Sequence, residues 1–362
     1  MSLRRPLRAL PRWAAVTILL ATLLALGWSG QAMAPAQPVP AAEQATATDD
    51  FGDVALYAAI NARVRAGESY HAAALTEQRA HDYPTRPFVT VRTPTMAWGD
   101  WLWGARGWQA MAVLLLGANI LAWMGAFAGL RPAERTAAVL LVCASGAGVF
   151  YDRVGLVHEL VSGLCLSLAL GLYRPHRWWP ALLAAAAGLA IRELALPFVM
   201  LWLAFAVLEK RWREAVAVAG LIALFAAGIA AHYLAVEALR LPADRASPGW
   251  NGLLGPLLPL SGVVRLSPLL LLPPVIAGPL AVLPLLGWAG LGGRAGAFAT
   301  LWFTGFGLFV ALFARAGNFY WVQLMLPAYL AGLPLVPRSF ADLLRAIRAL
   351  PAMDPEPSPV GR

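Results

Sequence analysis

The chain has 362 residues, of which 60% are hydrophobic and 13% charged, with a formal net charge of +9. That composition excludes an ordinary soluble domain and a disordered chain. The positive charge does not point to nucleic acid, because the arginines lie mainly between apolar spans, where the positive-inside rule places them.

At the N-terminus, Arg4, Arg5, Arg8 and Arg12 precede an apolar run from Trp13 to Gly30, and Ala32-Met33-Ala34 resembles a signal-peptidase site. The run is long for a signal peptide and adequate for a span. Pro35 would also follow the cut, a position such peptidases tolerate poorly. An uncleaved first helix with a cytoplasmic N-terminus is therefore expected. A polar outer loop, 31–108, comes next. Residues 35–48, rich in Pro, Ala, Gln and Thr, read as a flexible strap, and the acids Asp49, Asp50 and Asp53 follow it. A helical pattern opens around Asp53 and ends at Gly67, a good residue for the position after a helix. Asp50 would be its N-cap and Asp53 would sit in capping-box position. The other reading is that one of these carboxylates serves a substrate at the membrane surface.

The stretch from Tyr83 to Pro94 contains Pro84, Pro87 and Pro94, which favours an extended path. Arg86 and Arg92 lie on it. Their planar donor forks suit phosphate capture, and snorkelling toward lipid headgroups is the alternative. Trp98, Trp101, Trp103 and Trp108 read as an aromatic belt.

Ten apolar spans are expected: 13–30, 109–130, 136–151, 156–173, 180–191, 194–208, 215–236, 266–288, 297–314 and 319–336. One helix over 181–208 would reach roughly 42 Å against a hydrocarbon core of about 30 Å. It would also bury Arg192 and Glu193 at mid-membrane. Two short helices meeting at Arg192-Glu193 on the outer face avoid both problems, and Pro197 suits a helix start. Both termini are then cytoplasmic. Inner loops hold Arg131/Arg135, Arg174/Arg177, Lys210/Arg211/Arg213, Arg294 and the arginines of the C-terminal segment. Outer segments are 31–108, the turn from Tyr151 to Glu159, and 237–265. This organisation makes 1–350 a single all-α polytopic membrane domain, with a disordered cytoplasmic tail over 351–362. Cys143 and Cys165 both fall in apolar spans and form neither a disulfide framework nor a zinc site. Gly125-x-x-x-Gly129 reads as close helix packing.

Four features together resemble the C-type (GT-C) membrane glycosyltransferases, the group that includes protein O-mannosyltransferases and lipid A aminoarabinose transferases. A first span is followed by a large outer loop with an acidic motif near its start. Gly52-Asp53, Tyr57, Gly67 and Tyr70 match a "Gly-Asp-x-x-x-Tyr … Gly-x-x-Tyr" stretch. Tyr83-Pro84, Pro87, Arg92 and Pro94 match a "Tyr-Pro-x-x-Pro … Arg-x-Pro" stretch. Many short-looped hydrophobic helices follow. The likeness covers roughly residues 13–210.

The resemblance implies a polyprenyl-phosphate sugar donor and inverting transfer to an acceptor glycan, lipid or protein on the outer side, and the uncleaved basic N-terminal span with short loops suits a bacterial inner membrane. It places the general base at Asp53 or Asp50, with Asp53 preferred, and lipid phosphate at Arg92 and then Arg192. Arg86, His158 and Glu159 complete the candidate substrate-binding set. Arg153 or Arg192 pairing with Glu159 or Glu193 is the structural alternative for the second outer turn. The sequence has no metal-ligand cluster, so a divalent metal is neither supported nor excluded. The chain is also shorter than the larger members and has no soluble domain after the last span. A transporter or flippase for a lipid-linked solute, with inverted repeats and broken helices, is the alternative function. A non-catalytic membrane assembly partner is the third.

Overall fold

The computed structural model describes residues 5–33 and 52–348. Among these, regular structure is helical apart from one parallel backbone pairing of Arg86 with Ala246. Asp50 and the tail 351–362 lie outside the described residues.

Helix α1 (Arg12–Met33) is followed by two short amphiphilic helices, α2 (Asp53–Arg65) and α3 (Tyr70–Ala80). Gly67, with φ +95°, ends α2: its N–H bonds to the Val64 carbonyl at 3.0 Å, and the Glu68 N–H bonds to Arg63 at 3.1 Å. This is the left-handed stop expected at Gly67. Asp82 ends α3 in the same way at φ +57°. Leu56, Ile60 and Val64, one face of α2, bury against Tyr70, Ala74 and Val91.

The capping expectation fails. The N-cap of α2 is Gly52, in extended conformation, and Asp53 is the first helical residue. Asp53 therefore stands at N1 rather than N3, and the cap position expected at Asp50 is filled by Gly52.

Helix α4 (Thr95–Ala126) begins well before the span expected from Gln109, with Pro94 at its N-cap. Its helical path breaks at Gly104, where φ is +69°. Trp98, Trp101 and Trp103 are exposed as a belt requires, but Trp108 is buried and donates its indole N–H to the Met96 carbonyl at 3.0 Å. Trp108 thus pins the kink and does not belong to the belt.

Next come α5 (Pro132–Ser145), α6 (His158–Leu172), α7 (Trp179–Ile191), α8 (Leu196–Leu208) and α9 (Trp212–Glu237). The break between α7 and α8 falls where expected. Arg192 is extended, a 3₁₀ turn covers Glu193–Ala195, and Pro197 sits in the first turn of α8. The rest of the chain comprises α10 (Leu257–Arg265), α11 (Pro274–Val282), α12 (Pro284–Leu291), α13 (Gly293–Phe313), a 3₁₀ stretch Ala316–Leu324, α14 (Leu326–Tyr329) and α15 (Val336–Arg348).

Among the described residues, five helical segments are long and apolar enough to cross a membrane: Arg12–Met33, Phe88–Ala126, Trp212–Glu237, Pro274–Leu291 and Gly293–Phe313. A sixth is obtained if Ala316–Leu324 and Leu326–Arg348 count as one span bent by 58°. Helices α6, α7 and α8 are apolar but shorter. The molecule is thus a helical membrane protein in which half of the expected spans are short or broken. Pro327, Pro334 and Pro337 in the last apolar stretch remove backbone donors and favour the 3₁₀ turns seen there.

The bulkiest apolar side chains of the core are aromatic, with Trp288, Phe127, Phe198, Phe303 and Phe306 fully buried. One close approach sets up the site. A Cβ on Gly163 of α6 would lie 2.0 Å from the Gln323 carbonyl, so only glycine lets the 316–324 stretch rest on α6. Gly125 does not pack closely: only the Arg174 side chain comes near, at 3.6 Å, so the expected small-residue contact there is absent.

The expected inner loops gather at one end. Arg294 binds Glu209 and, at 2.9 Å, Glu214; Arg211 binds Glu214; Arg338 reaches Glu134 at 3.9 Å. His158 and Leu172, the first and last residues of α6, belong to opposite ends, about 20 Å apart at 1.5 Å per residue.

At the other end the segment after α9 is clamped to α3. Arg79 donates to both Asp244 oxygens at 2.7 and 3.0 Å and to the Leu239 carbonyl at 2.8 Å. The Asp244 carboxylate is buried, and the Arg79 guanidinium chiefly holds its pKa down to about 2. A depressed carboxylate pKa adds stability above its ordinary value near 4 and loses it as pH falls toward 2, here about 2 kcal/mol. Amide protection factors over 238–256 are expected to be high at pH 5 and to be lost only as pH falls through about 2. Asp244→Asn is expected to expose this stretch even at pH 7, cut by trypsin at Arg240 and Arg245.

Candidate functional site

Five separate segments meet at the end of the bundle opposite the Arg294 group. Helix α2 brings Asp53 and Tyr57, which share a face because they are four residues apart. The extended stretch before α4 brings Arg92, the start of α6 brings His158 and Glu159, the α7–α8 break brings Arg192 and Glu193, and the 3₁₀ stretch brings Tyr320.

The two arginines and two glutamates form an alternating square. Arg192 donates to Glu159 at 2.7 Å and also to Glu193. Arg92 faces the same two oxygens from farther away, 3.9 Å to Glu159 and 3.6 Å to Glu193. Such distances give attraction but not hydrogen bonds. The Arg192 side chain is 1% exposed, and its guanidinium also lies 5.9 Å from the Trp321 ring centroid. Arg92 is 15% exposed and Glu193 17%. Arg192 is therefore sealed in and holds the glutamates, whereas the two terminal nitrogens of Arg92 make only the two looser ion pairs and no hydrogen bond to them. The pairing considered for the second outer turn is realised through Arg192, not Arg153.

Asp53 is half-buried at the edge of this square. Its Oδ2 accepts a hydrogen bond from the Tyr320 hydroxyl at 3.0 Å, and Asn318 approaches the same hydroxyl at 3.4 Å. Tyr57 links acid to square: its hydroxyl accepts from Arg92 Nε at 3.1 Å, and its ring meets the His158 ring edge-on, centroids 4.8 Å apart. Burial pushes the Tyr57 phenol above its ordinary pKa, with Arg92 opposing. Tyr57 thus stays protonated at neutral pH. Tyr70 donates to the Arg92 carbonyl at 2.7 Å and fixes the backbone that carries the guanidinium.

His71 and His232 support this wall. His232 Nε2 lies 3.0 Å from the Val91 carbonyl and so carries a proton, which leaves Nδ1 to accept from His71 Nε2 at 3.0 Å. Partial burial lowers the His71 pKa, so the ring is neutral at neutral pH.

Of the residues singled out in the sequence, Asp53, Arg92, Arg192, His158 and Glu159 come together. Arg86 does not: its backbone pairs with Arg245 and Ser247, and among the described residues no hydrogen bond or ion pair joins it to the square. Tyr320 was hidden in an apolar span, where the only signal was the run of Asn318, Tyr320 and Gln323 near its start. Among the described residues no three of His, Cys, Asp and Glu are grouped to hold a metal ion.

Chemically, the arrangement offers a half-buried carboxylate near a guanidinium held only by loose ion pairs at its terminal nitrogens, both at one end of a membrane bundle. Two guanidiniums against three carboxylates leave the cluster one negative charge when all are ionised. A phosphate would bind by replacing Glu159 and Glu193 as the partner of Arg92. The cavity beside Tyr57 and His158 is small, about 10 Å³. Comparison with known protein families, curated proteins and solved structures gives no match for this chain.

Proposed function

We propose that the protein is a membrane glycosyltransferase that moves a sugar from a polyprenyl-phosphate donor to an acceptor hydroxyl on the outer face of a bacterial inner membrane. The observation that carries this reading is the placement of Asp53, outside the N-cap position held by Gly52, near Arg92, whose terminal nitrogens make only the looser ion pairs to Glu159 and Glu193. Asp53 takes the proton of the acceptor hydroxyl as the acceptor oxygen bonds to the anomeric carbon. The bond from that carbon to the lipid phosphate breaks, and the phosphate leaves with the bonding electrons. Arg92 meets the phosphate, Tyr320 orients Asp53, and Arg192 keeps the glutamates in place. The GT-C architecture, ten crossings counted with the short and broken helices, and cytoplasmic termini complete the reading.

The test is transfer of label from a radiolabelled polyprenyl-phosphate hexose or pentose to a membrane-extract acceptor pool by the purified protein in detergent. Labelled product from at least one donor is expected. A folded protein that transfers from none would overturn the assignment. A transporter is the second reading, favoured by the 58° bend between Ala316–Leu324 and Leu326–Arg348. Movement of a lipid-linked sugar across proteoliposomes without bond cleavage would decide for it.

A further inference from the structure

An apolar, aromatic-walled cavity lies at the other end, beside the arginine-rich loops. Its volume is about 570 Å³, within the range of small-molecule and lipid-chain pockets. Trp123, Phe127, Phe198, Trp202, Trp288 and Phe298 form its wall. The three indole N–H groups are already committed: Trp123 to Ser167 at 3.0 Å, Trp202 to Glu214 at 2.6 Å, and Trp288 to the Tyr329 carbonyl at 2.9 Å. These tryptophans turn apolar faces, not donors, to the space, and a polar ligand would find little to bond there. A hydrocarbon chain would lose nothing.

The mouth is different. Arg174, His176, Glu209 and Arg294 line it. Arg294 is saturated by Glu209 and Glu214 and lies 4.5 Å from the Tyr173 ring centroid. Arg211 is likewise spent on Glu214. Arg174 is not: it donates from one nitrogen to the Gly171 and Tyr173 carbonyls, at 2.9 and 2.7 Å, and has no carboxylate partner among the described residues. Three arginines against two glutamates leave one positive charge, and it sits on Arg174 at the cavity rim.

From this combination we infer that the cavity is a binding site for a lipid with a phosphate head, its head on Arg174 and its chain among the tryptophans. The site is separate from the Asp53–Arg92 cluster and does not depend on the function proposed for it. An anionic head completes the unpaired guanidinium, and a zwitterionic head brings its own cation into a mouth already positive.

The experiment uses the full-length protein in detergent with two photoactivatable probes run in parallel, phosphatidylglycerol and polyprenyl phosphate, each with a diazirine in the chain. Crosslinks are mapped by peptide mass spectrometry. Labelling of the peptides carrying Trp123, Trp202 and Trp288 is expected from at least one probe, and which one labels at lower concentration identifies the source. Arg174→Gln, at a partly exposed position, is expected to weaken that labelling about tenfold to a hundredfold, the worth of a charged hydrogen bond. Ala299→Trp, filling the cavity, should abolish it, and Arg174→Gln keeps the test decisive if that variant does not fold. Phosphatidylcholine labelling these peptides as strongly, or labelling indifferent to Arg174→Gln, would overturn the inference. So would competition by inorganic phosphate alone at the lipid's own concentration, since the chain would then contribute nothing.

Discussion

Arg192→Ala is expected to destabilise the protein by roughly 3–5 kcal/mol, the largest stability effect of any single change at this site. Arg192 is 1% exposed and makes the short contacts of the square, to Glu159 at 2.7 Å and to Glu193. Without it, two buried carboxylates face each other with only Arg92 nearby, at 3.6 and 3.9 Å. Lysine keeps the charge but loses the planar fork that serves both glutamates, so Arg192→Lys should recover only part of the loss. The readout is the thermal midpoint in detergent, with yield after size-exclusion chromatography as its companion. An Arg192→Ala protein that melts with the wild type would mean that the square does not hold the α7–α8 break in place.

Asp53→Asn is expected to do the opposite: leave the fold intact and lower transfer by about 10²–10⁴, the usual worth of a positioned base. Asparagine is nearly the same size and still offers an oxygen to the Tyr320 hydroxyl, which lies 3.0 Å from the native carboxylate. Nor does the change remove a cap, because Gly52 holds that position. Thermal midpoints of the two proteins should agree while their single-turnover rates differ. A variant that unfolds would show Asp53 to be a structural residue.

The two outcomes follow from where each charge sits, and part of that was legible in the sequence. The break at Arg192-Glu193 could be read because an unbroken helix would be too long and would bury two charges. The left-handed stop at Gly67 was readable from residue type alone. His158, Glu159 and Arg192 were legible together because charges at the ends of apolar runs are costly unless they meet one another, whereas Arg92 was singled out only as a phosphate ligand. Tyr320 was not, since a tyrosine inside an apolar stretch carries no mark of what its hydroxyl will touch. Asp53 looked like half of a capping box, and only the position of Gly52 at the N-cap freed it for another role. Trp108 was misread because tryptophans near a span start look alike until one finds a carbonyl such as that of Met96. The continuity of the spans was hard to read for a related reason. Hydropathy measures how apolar a segment is, while its continuity depends on prolines such as Pro327 and Pro334 and on what packs beside it.

The site and the cavity at the far end divide the molecule's polar chemistry between its two ends, joined by an aromatic core. The claim at the centre is that the outer end transfers sugar with Asp53 as base. One measurement addresses it most directly: initial rates of label transfer from a polyprenyl-phosphate sugar by wild type and Asp53→Asn, prepared together and matched by melting temperature. A working wild type beside a folded variant slowed at least a hundredfold is the expected result. Equal rates in the two proteins would contradict it.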